Sequence, residues 1–223
     1  MVYLLPILAV LLSLALVLLL KLDSQKNIKL ILAFSGAFLL ALTFFELLPE
    51  VYRHSNPRHI AIFILIGILL QVFLEFFSKG AEHGHMHLDM KDNGFPWLLF
   101  LSLSLHALIE GVPIRENNDI IYGILIHKVP VAMILAIFLV NSKLKIGVVI
   151  IFMALFALMT PFGSYLSVHT NFAARYGTQL TALAIGVLLH VSTVILFEST
   201  QEHTFNLRKL LVILLGIIGA YFL

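Results

Sequence analysis

The sequence has no cysteine and few charged residues: 12% of its 223 residues are Asp, Glu, Lys or Arg. Without cysteine, disulfides, CxxC redox chemistry and thiolate metal sites are excluded, and any metal ion must be bound by nitrogen or oxygen ligands. Soluble domains carry about 25% charged residues, and a chain that is 61% hydrophobic has too little polar surface to coat a soluble globule. The net charge of +2 does not indicate nucleic-acid binding. We therefore expect a membrane protein, in which ten histidines need an explanation.

Eight apolar stretches predict membrane helices, since a span needs about 20 apolar residues to cross about 30 Å of hydrocarbon. The predicted helices cover residues 2–20, 28–49, 60–79, 94–114, 119–141, 144–167, 175–197 and 207–223. The first stretch has neither a basic segment before it nor a small-residue cleavage site, so we interpret it as a membrane helix and not as a signal peptide. The predicted fold is an all-α membrane protein, with residues 1–223 forming a single transmembrane domain.

Lys and Arg are distributed unevenly over the connections between these helices. The odd-numbered connections and their borders carry Lys21, Lys26, Lys29, Lys79, Lys91, Lys143, Lys145, Arg208 and Lys209, and the even-numbered ones carry Arg53, Arg58, Arg115 and Arg175. Because cytoplasmic loops are enriched in Lys and Arg, we predict that the odd-numbered connections are cytoplasmic and that both termini face outward.

A spacing also recurs in the second and seventh helices. The repeated residues are Gly36, Leu39 and Thr43 in one helix and Gly186, Leu189 and Thr193 in the other. These helices occupy matching places if the eight are arranged 3+2+3, with the outer triplets as inverted repeats. Three matches in an apolar background are compatible with chance, so this arrangement is a hypothesis.

Ionisable residues inside membrane spans are costly and mark functional sites by default. The fourth helix, with LHALIEGVPI, places His106 and Glu110 four residues apart on one helix face. The fifth helix, with ILIHKVPVA, contains His127, and the short connection makes the two helices an antiparallel pair whose histidines meet at one depth. Two imidazoles and a carboxylate suit Zn²⁺, with Fe²⁺, Mn²⁺, Co²⁺ and Cd²⁺ as competitors. The alternative is that these residues bond to one another only for helix packing.

Two prolines follow the predicted ligands. Pro113 and Pro130 each lack an N–H, and so each should release the carbonyl four residues earlier, at Ile109 and Ile126. Irregular backbone at membrane depth is tolerated where it lines a polar cavity, and broken helices often mark transport sites.

Further polar residues lie towards both ends of the predicted bundle. On the outer side they are Glu46 and Glu50, with His54, His59 and His169 in loops; on the cytoplasmic side they are Glu75, His190, Glu198 and His203. We interpret Glu46 and Glu50 as an entrance for cations and the cytoplasmic set as an exit, whereas we interpret the three outer histidines as ordinary interfacial residues, with a part in the entrance as the alternative. The loop at 80–93, with His83, His85 and His87, is predicted to collect or sense metal, unless it is a solvated linker.

The segments HALIEG and HKVPVA resemble the paired signature helices of ZIP (Zrt-, Irt-like) transporters, and GAFLLALTFFELLPE in the second span resembles that family's second helix. Eight helices, outward termini and a His-rich loop after the third helix also match. The resemblance implies uptake of divalent metal by alternating access, with a helix group moving relative to a scaffold, and neither enzymatic activity nor a catalytic cofactor. Expected partners are divalent metal ions and the lipid bilayer, with no nucleic acid and with a homodimer left open. The expected location is a bacterial inner (plasma) membrane.

The sequence departs from the two-metal pattern of that family. Ala107 stands where many members have Asn, Lys128 where many have an acidic residue, Val131 where many have Glu, and Thr160 where some have Glu. A buried ammonium costs several kcal/mol unless it is paired, and it repels a second divalent cation. We therefore predict that Lys128 pairs with Glu110 and takes the place of a second metal ion. The alternative is that Lys128 pairs with Glu46 or Glu75.

Two other functions remain open at this point. An intramembrane zinc hydrolase would also place His and carboxylate side chains in a helical bundle, although the protease signature HExxH is absent. A metal exporter is equally compatible with a cytoplasmic histidine loop.

Overall fold

A computed structural model describes residues 3–22, 28–53, 55–81, 95–114, 119–198 and 207–223. These residues form eight consecutive helical segments. They are α1 (Leu4–Leu20), α2 (Ile28–Arg53), α3 (Pro57–Ser78), α4 (Trp97–Gly111), α5 (Ile120–Val140), α6 (Ile146–His169), α7 (Asn171–Glu198) and α8 (Leu207–Tyr221). The prediction of an all-helical chain is confirmed for the described residues, and each observed helix corresponds to one predicted span.

The eight helices differ in length more than the sequence suggested. By length and composition, α2, α3, α5, α6 and α7 are able to cross a membrane. The other three are shorter, with 17 residues in α1 and 15 each in α4 and α8. At 1.5 Å per residue a helix of 15 residues is about 22 Å long. The predicted extent of the fourth helix, 94–114, is therefore too long, because the chain leaves the helix at Gly111.

Local sequence explains several helix ends and irregularities. The Asn56 side chain caps α3 by accepting hydrogen bonds from the N–H groups of Arg58 and His59, and Pro57 follows at the first helical position. Within α2, Thr43–Leu47 forms a π-helical turn, a rare element that often occurs at functional sites. In α7, Tyr176 has non-helical dihedral angles (φ −118°, ψ 20°) and kinks the helix near its start.

The helices pack as two groups of four. In the first group, α1 packs against α5 and α6, and α4 packs against α6. In the second group, α2 packs against α7 and α8, and α3 packs against α7. The groups meet where α2 contacts α5 and where α3 contacts α4. The expected pairing of α4 with α5 is therefore replaced by packing of each helix against other members of its group.

Glycine allows the closest approaches within each group. In the second group, a Cβ at Gly67 would overlap the Leu183 carbonyl, and one at Gly186 would overlap the Ile64 carbonyl. In the first group, a Cβ at Gly163 would overlap the carbonyl of Leu108, so α4 and α6 are in backbone contact. Small residues at such crossings are typical of packed membrane helices.

The outer surface of the bundle is apolar. Along α3, Leu65, Leu69 and Phe76 are 59–75% exposed. Monomeric soluble proteins rarely expose continuous apolar surface of this kind. Together with the long apolar helices, this surface is that of an integral membrane protein.

Candidate functional site

The centre of the site is an ion pair between α4 and α5. Lys128 Nζ donates a hydrogen bond to Glu110 Oε2 at 2.7 Å, and both side chains are at most 3% exposed. Lys128 also lies 5.1 Å from the centre of the Phe156 ring, which adds a cation–π contact. The structure thus pairs Lys128 with Glu110, as the charges predicted, and not with Glu46 or Glu75.

Two buried histidines surround this ion pair. His106 precedes Glu110 by one turn of α4, and His127 precedes Lys128 on α5; both are at most 5% exposed. Both lie close enough to act electrostatically on the Glu110 carboxylate. The three predicted ligands are therefore all buried beside the Glu110–Lys128 pair, on two helices whose main packing partners are elsewhere.

The three residues do not form an assembled metal site in this structure. Among the described residues, no three His, Asp or Glu side chains are arranged so that they could hold one ion. At Glu110, an ammonium occupies one carboxylate oxygen. The other oxygen, Glu110 Oε1, is buried and has no hydrogen-bond partner within the described part of the chain.

Gln71 on α3 contacts the site from the other helix group, and sequence reasoning missed it. The Gln71 Oε1 atom lies 3.0 Å from His106 Nδ1, and the side chain is fully buried. Gln71 is uncharged, so a search for ionisable residues passes over it. Its position four residues before Glu75, on the same face of a membrane helix, was the available signal.

The polar side chains continue from Gln71 towards one end of the bundle. Glu75 Oε2 on α3 lies 2.7 Å from His190 Nε2 on α7, and both side chains are partly exposed. Because Ser102 contacts Leu74 while His106 contacts Gln71, α3 and α4 are antiparallel. The series Glu110, His106, Gln71 and Glu75 therefore advances steadily towards the end where α3 stops and α4 begins. The series includes the predicted exit residues Glu75 and His190.

The prolines act differently from the prediction in one case. Pro113 lies beyond the end of α4, and the Ile109 carbonyl accepts a hydrogen bond from the Val112 N–H at 3.0 Å. Pro113 therefore does not release that carbonyl, which is a correction. Pro130 lies inside α5, where it supplies no N–H to the Ile126 carbonyl.

Additional buried polar atoms lie near this series without protein partners. Within the described ranges, they include Gln71 Nε2, Ser104 Oγ and Thr160 Oγ1. Buried polar atoms are nearly always hydrogen-bonded to protein or ordered water. The polar series therefore has capacity for ligands other than its own side chains.

A polar cavity of about 500 Å³ lies between the last turn of α2 and the start of α7. Its lining includes Glu50, Arg175 and Thr178, next to the kink at Tyr176. Glu46 is exposed in the π-helical turn of α2 and is not part of this lining. Of the two predicted entrance residues, Glu50 lines this cavity and Glu46 does not.

The remaining predicted residues are peripheral or not described. His59 packs against the Phe63 ring, and His169 Nδ1 donates a hydrogen bond to the Tyr165 carbonyl while its ring stacks on the Tyr165 ring. His54, His83, His85, His87 and His203 lie outside the described residues, as does the side chain of Glu198. The predicted loop site and part of the predicted exit therefore stay predictions.

One protein-family model and three curated proteins are similar to this chain. Residues 81–223 match a family model described as ZIP Zinc transporter. Zinc transporter ZIP1 of Danio rerio is 30% identical over 156 residues, which cover 62% of this chain and 50% of that protein. Zinc transporter ZIP1 of Takifugu rubripes is 31% identical over 146 residues (59% and 48%), and Protein zntD of Dictyostelium discoideum is 28% identical over 165 residues (63% and 24%). The chain spans half or less of the length of these curated relatives.

Proposed function

Because the chain belongs to the ZIP zinc transporter family, we propose that it carries Zn²⁺ into the cytoplasm by alternating access. The family consists of transporters, so the chain is a membrane transport protein and not a hydrolase. His106, Glu110 and His127 are the proposed metal ligands. The observation that carries this proposal is the buried Glu110 carboxylate, which lies among two imidazoles and keeps one oxygen without a partner in the described chain.

Lys128 has a defined part in this proposal. In the absence of metal its ammonium neutralises Glu110, since a buried carboxylate without a counter-charge is strongly unfavourable. Zn²⁺ arriving between the imidazoles competes with the ammonium for the carboxylate. The ammonium stays within reach of the site, where it repels a second divalent cation. We therefore assign one transported ion to the core, with Fe²⁺, Mn²⁺, Co²⁺ and Cd²⁺ as competing substrates of the same ligand set.

The proposed route follows the polar residues along the bundle. Glu50 and the cavity beside it attract the cation on the outer side, with Glu46 nearby on α2. After the central ligands, Glu75 and His190 receive the ion on its way to the cytoplasm. Glu198, His203 and the loop histidines His83, His85 and His87 complete the exit. Transport of this kind needs polar groups on both sides of the site, whereas an enzyme's closed pocket does not need them.

The packing of the helices supports alternating access between two groups. Helix α1 packs on α5 as α6 packs on α4, and α2 packs on α8 as α7 packs on α3. If the triplet α1–α3 is exchanged with the triplet α6–α8, and α4 with α5, each of these contacts turns into the other contact of its pair. The 3+2+3 arrangement with inverted repeats requires this. We propose that α1, α4, α5 and α6 carry the metal past α2, α3, α7 and α8.

Zn²⁺ flux into proteoliposomes tests the function. Wild-type chain should give saturable uptake of external Zn²⁺ that His106→Ala abolishes, whereas absence of uptake in either direction would refute the proposal. Outward flux alone would assign export. Because the sequence contains no cysteine, single cysteines at Ser55 and Gly84 report the orientation when intact cells are labelled with an impermeant thiol reagent. Labelling at 55 and protection at 84 are expected, and the reverse would invert the proposed topology.

A further inference from the structure

Gln71 is a side chain of the second helix group that the structure places against a proposed metal ligand. Its carboxamide oxygen lies 3.0 Å from His106 Nδ1, and neither side chain is more than 5% exposed. A carboxamide oxygen only accepts hydrogen bonds, so the Nδ1 atom is the donor. The neutral imidazole therefore carries its proton on Nδ1 and its lone pair on Nε2, the atom that can bind a metal ion.

We infer that Gln71 is a positioning residue for the metal site, which selects the metal-binding tautomer of His106 and fixes the orientation of its ring. The inference rests on the proposed function, since it concerns how one of the proposed ligands is held. Metal-binding histidines commonly donate their second ring N–H to an oxygen acceptor, and loss of that acceptor costs about 10- to 100-fold in metal affinity. In a membrane interior no bulk water is available to replace the missing acceptor.

The position of Gln71 gives this hydrogen bond a second property. Gln71 belongs to α3 and His106 to α4, which are in different helix groups. A shift of one helical turn, about 5.4 Å, breaks the bond. The site is therefore supported most strongly in the register of α3 and α4 observed here, and movement of one group past the other weakens the hold on His106.

A matched control is available at the same interface. Ser102 on α4 donates a hydrogen bond to the Leu74 carbonyl on α3 at 2.6 Å, one turn from the Gln71–His106 contact. Ser102→Ala therefore removes a buried polar contact between the same two helices without touching His106. Gln71→Leu removes the acceptor at similar size, and Gln71→Glu keeps an oxygen acceptor at the same reach.

The test uses the full chain with His83, His85 and His87 replaced by serine, so that loop binding does not mask the core. Zn²⁺ affinity is measured by competition with a zinc-binding dye, and the initial rate of uptake is measured against external Zn²⁺. Gln71→Leu should weaken affinity and raise the apparent KM about 10- to 100-fold. Gln71→Glu and Ser102→Ala should stay within about threefold of the parent, less than the loss of an orienting partner causes.

The possible outcomes distinguish a failure of the inference about Gln71 from a failure of the proposed function. Unchanged affinity in Gln71→Leu overturns the inference, as does equal loss in Ser102→Ala or failure of Gln71→Glu to retain affinity, because the effect is then one of packing. If Gln71→Leu is not monodisperse, Gln71→Met replaces it under the same criteria. Absence of Zn²⁺ flux in the wild-type chain, or full flux in His106→Ala, refutes the proposed function itself. Flux that needs His106 but not Gln71 refutes the present inference alone.

Discussion

Two ion pairs with the same N–O distance of 2.7 Å stand in very different surroundings. Glu110–Lys128 joins α4 and α5 within the first helix group, and its side chains are 1% and 3% exposed. Glu75–His190 joins α3 and α7 within the second group, and its side chains are 26% and 16% exposed. The comparison shows that distance alone does not determine what a pair does. Burial decides how strongly each carboxylate depends on its partner, an ammonium at Glu110 and an imidazole at Glu75.

The partners of the two carboxylates differ in a way that fits their proposed places on the route. The Lys128 ammonium contacts Glu110 directly, so it is the group that neutralises Glu110 when metal is absent. His190 can exist as a neutral metal ligand, so Glu75 and His190 are suited to receive an ion and release it towards solvent. Because each pair lies in a different helix group, the relative movement of the groups that we propose would bring the ion from one pair to the other.

The largest expected effect is the difference in Zn²⁺ uptake between variants of the central site and a variant of Glu75. Glu110→Ala, His106→Ala and His127→Ala should each reduce Zn²⁺ uptake by at least about 100-fold, since loss of a residue that merely supports a ligand already costs about 10- to 100-fold. Glu75→Ala should reduce uptake by about 10-fold or less, since partly exposed Glu75 has solvent as a substitute. Initial rates in proteoliposomes measure both. Near-normal flux in two of the three ligand variants would show that the central site is assigned wrongly.

The next effect depends on movement between the groups that hold the two pairs. A Cβ at Gly123 on α5 would lie 3.8 Å from Leu42 Cγ on α2, so the two positions face each other across the contact between the groups, and a Leu42→Cys, Gly123→Cys pair tests a disulfide there. The chain has no other cysteine. Oxidation should stop most Zn²⁺ uptake, and reduction should restore it, because the disulfide joins the two groups.

The control for this lock joins two helices of one group. A Cβ at Gly36 on α2 would lie 3.1 Å from Ile195 Cβ on α7, so a Gly36→Cys, Ile195→Cys pair can close with a small adjustment. Its oxidation should leave uptake close to that of the reduced form. Equal loss in both oxidised pairs would argue against movement between groups and for a general effect of cross-linking.

A third prediction compares how much the protein is destabilised when the partner of each carboxylate is removed. Lys128→Met leaves Glu110 buried without its cation and should destabilise the metal-free protein by about 3–5 kcal/mol. The double variant Glu110→Gln, Lys128→Met removes both charges and should recover most of that loss. His190→Ala should cost about 1 kcal/mol or less, as for solvent-accessible pairs. Thermal unfolding in detergent with a chelator present gives the comparison; similar losses at Lys128 and His190 would contradict it.

How far the sequence predicted these features depends on the kind of signal each one leaves. Long apolar runs have a clear length signal, so all eight helices were predicted, with errors of a few residues at their ends. The ionisable residues His106, Glu110 and Lys128 stand out because charge in a membrane is costly. Gln71 was missed because a neutral amide leaves no such signal. The π-helical turn at Thr43–Leu47 and the backbone contacts at Gly67 depend on neighbouring helices, which periodicity within one helix does not describe.

The smallest expected effect concerns the loop histidines, which lie outside the described residues. Both ion pairs are formed without them, so the triple variant His83→Ser, His85→Ser, His87→Ser should keep the maximal rate of Zn²⁺ uptake within about twofold. Alternating histidines in a glycine-containing segment bind Zn²⁺ without a rigid cage, and therefore weakly and exchangeably. The difference should appear at low external Zn²⁺ or when cytoplasmic Zn²⁺ is raised, as a change in apparent KM or in regulation. The matched variant Leu88→Ser changes the same loop, leaves every histidine in place and should change neither quantity. Complete loss of uptake in the triple variant would mean that an essential ligand lies in this loop. The assignment of the transport site to the buried residues around Glu110 would then be wrong.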